Sequence, residues 1–248
     1  MILIIARREI AALFLSPLAW VMLAVMQVLL AYMFLVQLDN FFLLQPRLLQ
    51  LENVPGVTDI VIAPLFSLAA VILLMIMPLI TMRAIAEEKR NKTFSLLLSS
   101  PISLTEIVLG KFLGLLLFIL ILVCLLMLMP LSLFVGAPID IGKLFSIFIA
   151  MLLLLSSFAA IGLYISSLTE SQTIAAVGSF GALLMLWIID WTGKAAGNQR
   201  VISYLSLLQH HQSMLEGVFD TADLAYYLIF ITVFLVLTIR QLERERLS

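Results

Sequence analysis

Of the 248 residues, 63% are hydrophobic and only 12% charged, which excludes a soluble globular domain, where about a quarter of residues carry charge. A formal net charge of -1, from 14 Lys and Arg against 15 Asp and Glu without a basic run, excludes a nucleic-acid footprint and a polybasic lipid anchor. With a mean hydropathy of +1.19, the chain reads as an all-α polytopic membrane protein.

From the N-terminus, residues 1–17 place Arg7, Arg8 and Glu9 among apolar residues and end at Ser16-Pro17. This predicts an interfacial helix along the membrane surface, with fraying of the first span as the alternative. No small-residue cleavage site follows the apolar start, so a cleaved signal peptide is not expected. Six apolar runs then have the length a bilayer requires: 18–38, 60–82, 107–135, 144–168, 173–189 and 224–239. Lys111, one turn inside the third run, is their one charged residue and is expected to snorkel to the headgroups. Pro64, Pro78 and Pro130 predict kinks. Cys124 lies in an apolar run, forms no intramolecular disulfide as the sole cysteine, and reads as a packing residue. In the fifth run Ala175, Gly178, Ser179 and Ala182 give the four-residue spacing that permits close helix approach, within or between subunits. Gly110 and Gly114 repeat that spacing in the third.

Residues 39–59, with Pro46, Pro55 and Gly56, predict an irregular segment containing a short helix. Residues 190–223 are too polar to span and predict a re-entrant or interfacial hairpin, and 240–248 form a short tail. Placing both termini, loop 83–106 and residues 169–172 on one side gathers ten of the 14 Lys and Arg there, counting Lys111. The positive-inside rule makes that side cytoplasmic.

Loop 83–106 concentrates polarity between two apolar spans. It reads either as an ordinary positive-inside loop or as a docking surface for a soluble partner, with Arg83, Glu87, Glu88, Lys89 and Arg90 setting register and Phe94, Leu96 and Leu97 supplying an apolar anchor. On the second reading, Glu88→Arg should weaken partner binding without unfolding the membrane part.

Other chemistry finds little support. Neither Gly110-Lys111-Phe112 nor Gly193-Lys194-Ala195 has the upstream Gly or following hydroxyl of a phosphate-binding loop. His210 and His211 are adjacent and point about 100° apart on a helix, which disfavours joint metal ligation; they read as interfacial polar residues. No cofactor or metal is expected in this chain. At membrane depth stand uncharged polar residues such as Gln27, Ser67, Thr81, Ser156 and Ser157, which interhelical hydrogen bonds would satisfy.

Ile85-Ala86-Glu87-Glu88-Lys89-Arg90-Asn91-Lys92-Thr93, Leu96-Leu97-Leu98-Ser99-Ser100-Pro101 and Glu106-Ile107-Val108-Leu109-Gly110-Lys111 resemble the coupling-helix region of ABC-2 type permeases. Lys92 stands where that pattern often has glycine. Leu205-Ser206-Leu207 through His210, and Gly217-Val218-Phe219-Asp220-Thr221-Ala222-Asp223-Leu224, are similar to the gliding-motility-associated (GldF-type) branch, as is Leu15-Ser16-Pro17. The resemblance implies a type V exporter-like permease fold in a bacterial inner membrane, with both termini cytoplasmic. It also implies a second permease chain and two cytoplasmic ATPase subunits that carry ATP and Mg. An outer-side auxiliary protein and membrane lipid are further expected partners, and no nucleic acid is. A scaffold for mechanical work, or a lipid-modifying enzyme using the His210–Asp223 hairpin, are the alternatives. A charge-poor interior favours a lipidic, amphipathic or polymeric cargo.

Overall fold

A computed structural model describes residues 1–48, 56–93, 102–135, 139–195, 206–218 and 220–247. Among them every regular element is helical. Ile2–Leu15 (α1) stops at Ser16, whose extended backbone (ψ 127°) is the conformation a following proline favours. Pro17 opens α2 (Pro17–Leu48), separating α1 from the first apolar run. Ile2–Leu15 is therefore a helix of its own. A π-helical turn, Thr58–Ile62, leads into α3 (Ala63–Thr81), with Pro64 at its first turn, where a missing N–H is tolerated. Next come α4 (Ala86–Arg90), α5 (Leu104–Ser132), α6 (Ile141–Ser167), α7 (Gln172–Ala195), α8 (Leu207–Leu215) and α9 (Thr221–Leu247).

Five of these stretches are long and apolar enough to cross a membrane, within Pro17–Pro46, Thr58–Arg90, Leu104–Ser132, Ile141–Ser167 and Thr221–Arg246. In α7 the apolar stretch is shorter, Gln172–Ile188.

Helices overrun the apolar runs in several places. Residues 39–48, expected to be irregular, continue α2 through Pro46, and residues 190–195 continue α7. Residues 240–247 prolong α9, where Leu242 is buried and Gln241 donates to Glu245 one turn on. Leu104 to Glu106 belong to α5, because Ser103 and Glu106 form a reciprocal capping box.

The core lies around α6, which packs against α3, α5, α7, α8 and α9. Its crossing with α3 depends on Gly162, since a Cβ there would run into the Thr81 side chain. Thr81, Ser156 and Ser157 hydrogen-bond the carbonyls of Met77, Leu152 and Leu153 in their own helices. They do not join helices as expected; only Gln27 of that set reaches across, donating to the Leu125 carbonyl at 3.4 Å. Cys124 points to the exposed face of α5 and is not a packing residue.

Chain ends and turns sort into two poles. Glu9 of α1, Glu88 of α4, Lys111 near the start of α5, Ser167 at the end of α6 and Glu245 near the end of α9 meet at one. At the other, the second turn of α6 meets α8, where Ser146 Oγ donates to the Met214 carbonyl at 2.7 Å. The N-terminal helix and the end of α9 thus share a pole.

Gly162→Ala is expected to lower stability by about 1–3 kcal/mol through overpacking. Gly181→Ala, with nothing within 4 Å of its Cβ, should match or exceed wild type through helix propensity. Thermal unfolding of the detergent-solubilised protein monitored by size exclusion compares the two.

Candidate functional site

Lys111 is 2% exposed and does not snorkel. A buried ammonium requires counter-charges, and two are supplied: Glu9 Oε1 of α1 at 2.6 Å and Glu88 Oε1 of α4 at 2.8 Å. Room for α1 to approach comes from Gly110 and Gly114. A Cβ at Gly110 would stand 2.7 Å from Ile5 Cβ, and one at Gly114 would stand 2.6 Å from Glu9 Cβ. These two glycines therefore seat a helix of the same chain.

On its other side α4 is held by the ends of α6 and α9. Ser166 Oγ accepts from the backbone N–H groups of Ile85 and Ala86 at 3.1 and 3.0 Å and donates to the Met82 carbonyl at 3.1 Å. This satisfies amide donors that the start of a helix leaves free. Lys89 Nζ donates to the Ser167 carbonyl and pairs with Glu245 at 2.6 Å. Arg83 donates to Ser16 Oγ at 3.2 Å, linking the end of α3 to the α1–α2 corner.

The helix ends in a Schellman turn. Thr93 N donates to the Glu88 carbonyl and Lys92 N to that of Lys89, both at 3.0 Å. Such a turn needs a left-handed residue, and Lys92 takes it with φ 56°. The position where the resembling pattern carries glycine is thus one that glycine suits.

Of the residues singled out in the loop, Glu88 and Lys89 are turned inward and bonded within the chain. Glu88→Arg would set a second cation beside Lys111, so it probes the fold before any partner. Arg90 is exposed and forms no ion pair among the described residues, and Glu87 is half-buried. Phe94, Leu96 and Leu97 lie outside the described residues. Glu9, Ser166, Ser167 and Glu245 were missed as site residues. The available signal was Lys111 itself, a charge in an apolar run that had to find a partner.

The small residues of α7 divide between two faces. Ala175 and Ser179 are fully buried within the chain, whereas Gly178 and Gly181 are exposed and Ala182 is half-buried. Ile174, Val177 and Met185 accompany the glycines outward.

At the opposite pole Lys143 pairs with Asp59 at 2.7 Å. Gly217, with φ +87°, lies against Lys143, whose Cγ would be 2.7 Å from a Cβ there. His210 Nδ1 lies 2.5 Å from Asp223 Oδ1, and Ser213 Oγ donates to Asp223 Oδ2 at 2.7 Å. The serine bonds the carboxylate and not the imidazole, so this trio lacks the relay that activates a nucleophile. His211 is fully buried, and neither ring nitrogen reaches hydrogen-bond geometry. Burial pushes its pKa down to about 4, outweighing the opposing effect of the Ala150 backbone.

Replacing Lys111 by Met strands two carboxylates and should cost about 3–5 kcal/mol; adding Glu9→Gln and Glu88→Gln should restore much of it, as read by thermal unfolding. Lys92→Gly should be tolerated while Lys92→Val, forced into a left-handed backbone, loses about 1–2 kcal/mol. For His211, the unfolded chain takes up a proton below about 6.5 and the folded chain only below about 4. Its contribution is therefore complete above pH 6.5 and lost as pH falls towards 4, on the order of 3 kcal/mol. His211→Leu should flatten that part of the stability profile between pH 7 and 4.5.

No individually curated protein matches the chain. The family model for ABC-2 family transporter proteins matches residues 3–247. The helical bundle, with its short clamped helix α4 between two long apolar ones, belongs to the ABC-2 family of transporter proteins.

Proposed function

We propose that the chain is the permease subunit of an ABC exporter, crossing a bacterial inner membrane six times with α7 as the fifth crossing and both termini cytoplasmic. A second permease chain, identical or related, completes the translocation path, and two cytoplasmic ATPase subunits, which carry ATP and Mg, drive it. On the sequence motifs we place it in the gliding-motility-associated (GldF-type) branch. The family supports the transport role. The fixing of α4 is the observation that carries the coupling role.

A lever transmits force only if it cannot rotate freely on its mount. α4 is held by Glu88 through Lys111 to α1 and α5, and by Lys89 to the end of α9 and the Ser167 carbonyl of α6. Motion imposed on α4 therefore reaches both groups of helices together. In this reading Arg83, Glu88 and Lys89 mount the helix. Arg90, with Phe94, Leu96 and Leu97, meets the ATPase, while Glu87 turns towards the cavity beside the clamp. The exposed face of α7 around Gly178 and Gly181 meets the second permease chain, with Ala175, Ser179 and Ala182 packing behind it.

Purification of the tagged chain from native membranes in mild detergent should recover a cytoplasmic protein bearing ATP-binding motifs. Arg90→Glu should lower that recovery several-fold while the membrane part stays monodisperse, since an exposed interface charge governs association more than folding. Unchanged ATPase recovery and ATP-driven activity in Arg90→Glu would rule out α4 as the coupling element.

A further inference from the structure

Beside the clamp lies a cavity of about 570 Å³ between α1, α2, α3, α4 and α5. Leu79, Arg83 and Glu87 line it at four-residue intervals, so the chain presents an apolar side chain, a cation and an anion in that order. Across from them Leu15 and Leu18 add apolar surface and Arg8 a second cation. Glu9 and Glu88 meet Lys111 through their Oε1 atoms, with Glu88 Oε2 buried and unpartnered among the described residues; Arg8 and Arg83 have no carboxylate partner among the described residues, and Glu87 has no cation. The Arg83 Nε is buried without an acceptor.

Tail, phosphate and amine occur in that order along a zwitterionic glycerophospholipid. We infer that this cavity holds one phosphatidylethanolamine-like lipid, its phosphate between Arg8 and Arg83, its ammonium at Glu87 and an acyl chain along Leu15, Leu18 and Leu79. Guanidinium groups suit phosphate oxygens because they present paired donors. Inorganic phosphate would satisfy the two arginines but would leave the apolar wall and Glu87 unused. A lipid seated there joins α1 to the α3–α4 junction beside the clamp, whose Lys111 also lines the cavity.

The test is native mass spectrometry of the full chain, purified in its complex and exchanged against dioleoylphosphatidylethanolamine, dioleoylphosphatidylglycerol or inorganic phosphate. Wild type is expected to retain one phosphatidylethanolamine per chain. Arg8→Gln and Arg83→Gln should each weaken both lipids about tenfold, the loss of one charge-assisted contact. Glu87→Gln should weaken phosphatidylethanolamine while sparing phosphatidylglycerol. Arg8 is exposed and bonds nothing among the described residues, so Arg8→Gln reads the site even if Arg83→Gln disturbs the Ser16 corner. Undiminished lipid in Arg8→Gln, equal loss of both lipids in Glu87→Gln, or displacement of the lipid by millimolar phosphate would overturn the assignment.

Discussion

One buried ammonium group, that of Lys111, organises a whole pole of this molecule. Lys111 sits at the start of a long apolar helix, where an isolated charge is not tolerable. Its counter-charges come from residues 102 positions upstream and 23 positions upstream. Neutralising the lysine thereby fixes where α1 lies and how α4 is turned. Gly110 and Gly114 serve the same end, because only a helix face without side chains lets Glu9 come close enough. The three charges leave one net negative charge, and a cluster with that imbalance is sensitive to every group placed beside it.

The rest of the interior contrasts with this pole. Between the poles, polar side chains are mostly self-satisfied within one helix, as Thr81, Ser156 and Ser157 are. Such helices are held together by packing and close approach, and hydrogen bonds across the seams are few. The far pole is tied more lightly. Asp59 and Lys143 are each about one-third exposed, a setting in which an ion pair contributes about 0–1 kcal/mol. A molecule built this way fixes α4 firmly at one end and ties its other end more lightly.

Much of the fold was legible because apolar length is a strong signal: the long helices stand where the runs 18–38, 60–82, 107–135, 144–168 and 224–239 place them. Helix ends were less so, since apolar runs report a solvent and not a backbone. Pro46 did not end α2, and the polar tail of α9 continued as helix on alternating Glu and Arg. The start of α5 could have been read from Ser103 and Glu106, whose spacing is that of a capping box. In the site, the segment was legible but the facing was not. The pattern Glu87-Glu88-Lys89-Arg90 carries no information about which charges turn inward, because that depends on Lys111, Ser167 and Glu245, which are remote in sequence. The left-handed backbone at Lys92 was hidden for the same reason: a lysine does not announce a turn that a glycine would.

α9 runs from the His210–Asp223 contact at one pole to the Lys89–Glu245 pair at the other without a glycine or proline. Its 27 residues make a rod of about 40 Å, and a rod without a flexible joint has no means of absorbing a tilt locally. Displacement of its Glu245 end must therefore appear, with opposite sign about whatever fulcrum the bundle provides, at its Asp223 end. The two faces of the protein are in this sense ends of one seesaw, and neither can be repositioned alone.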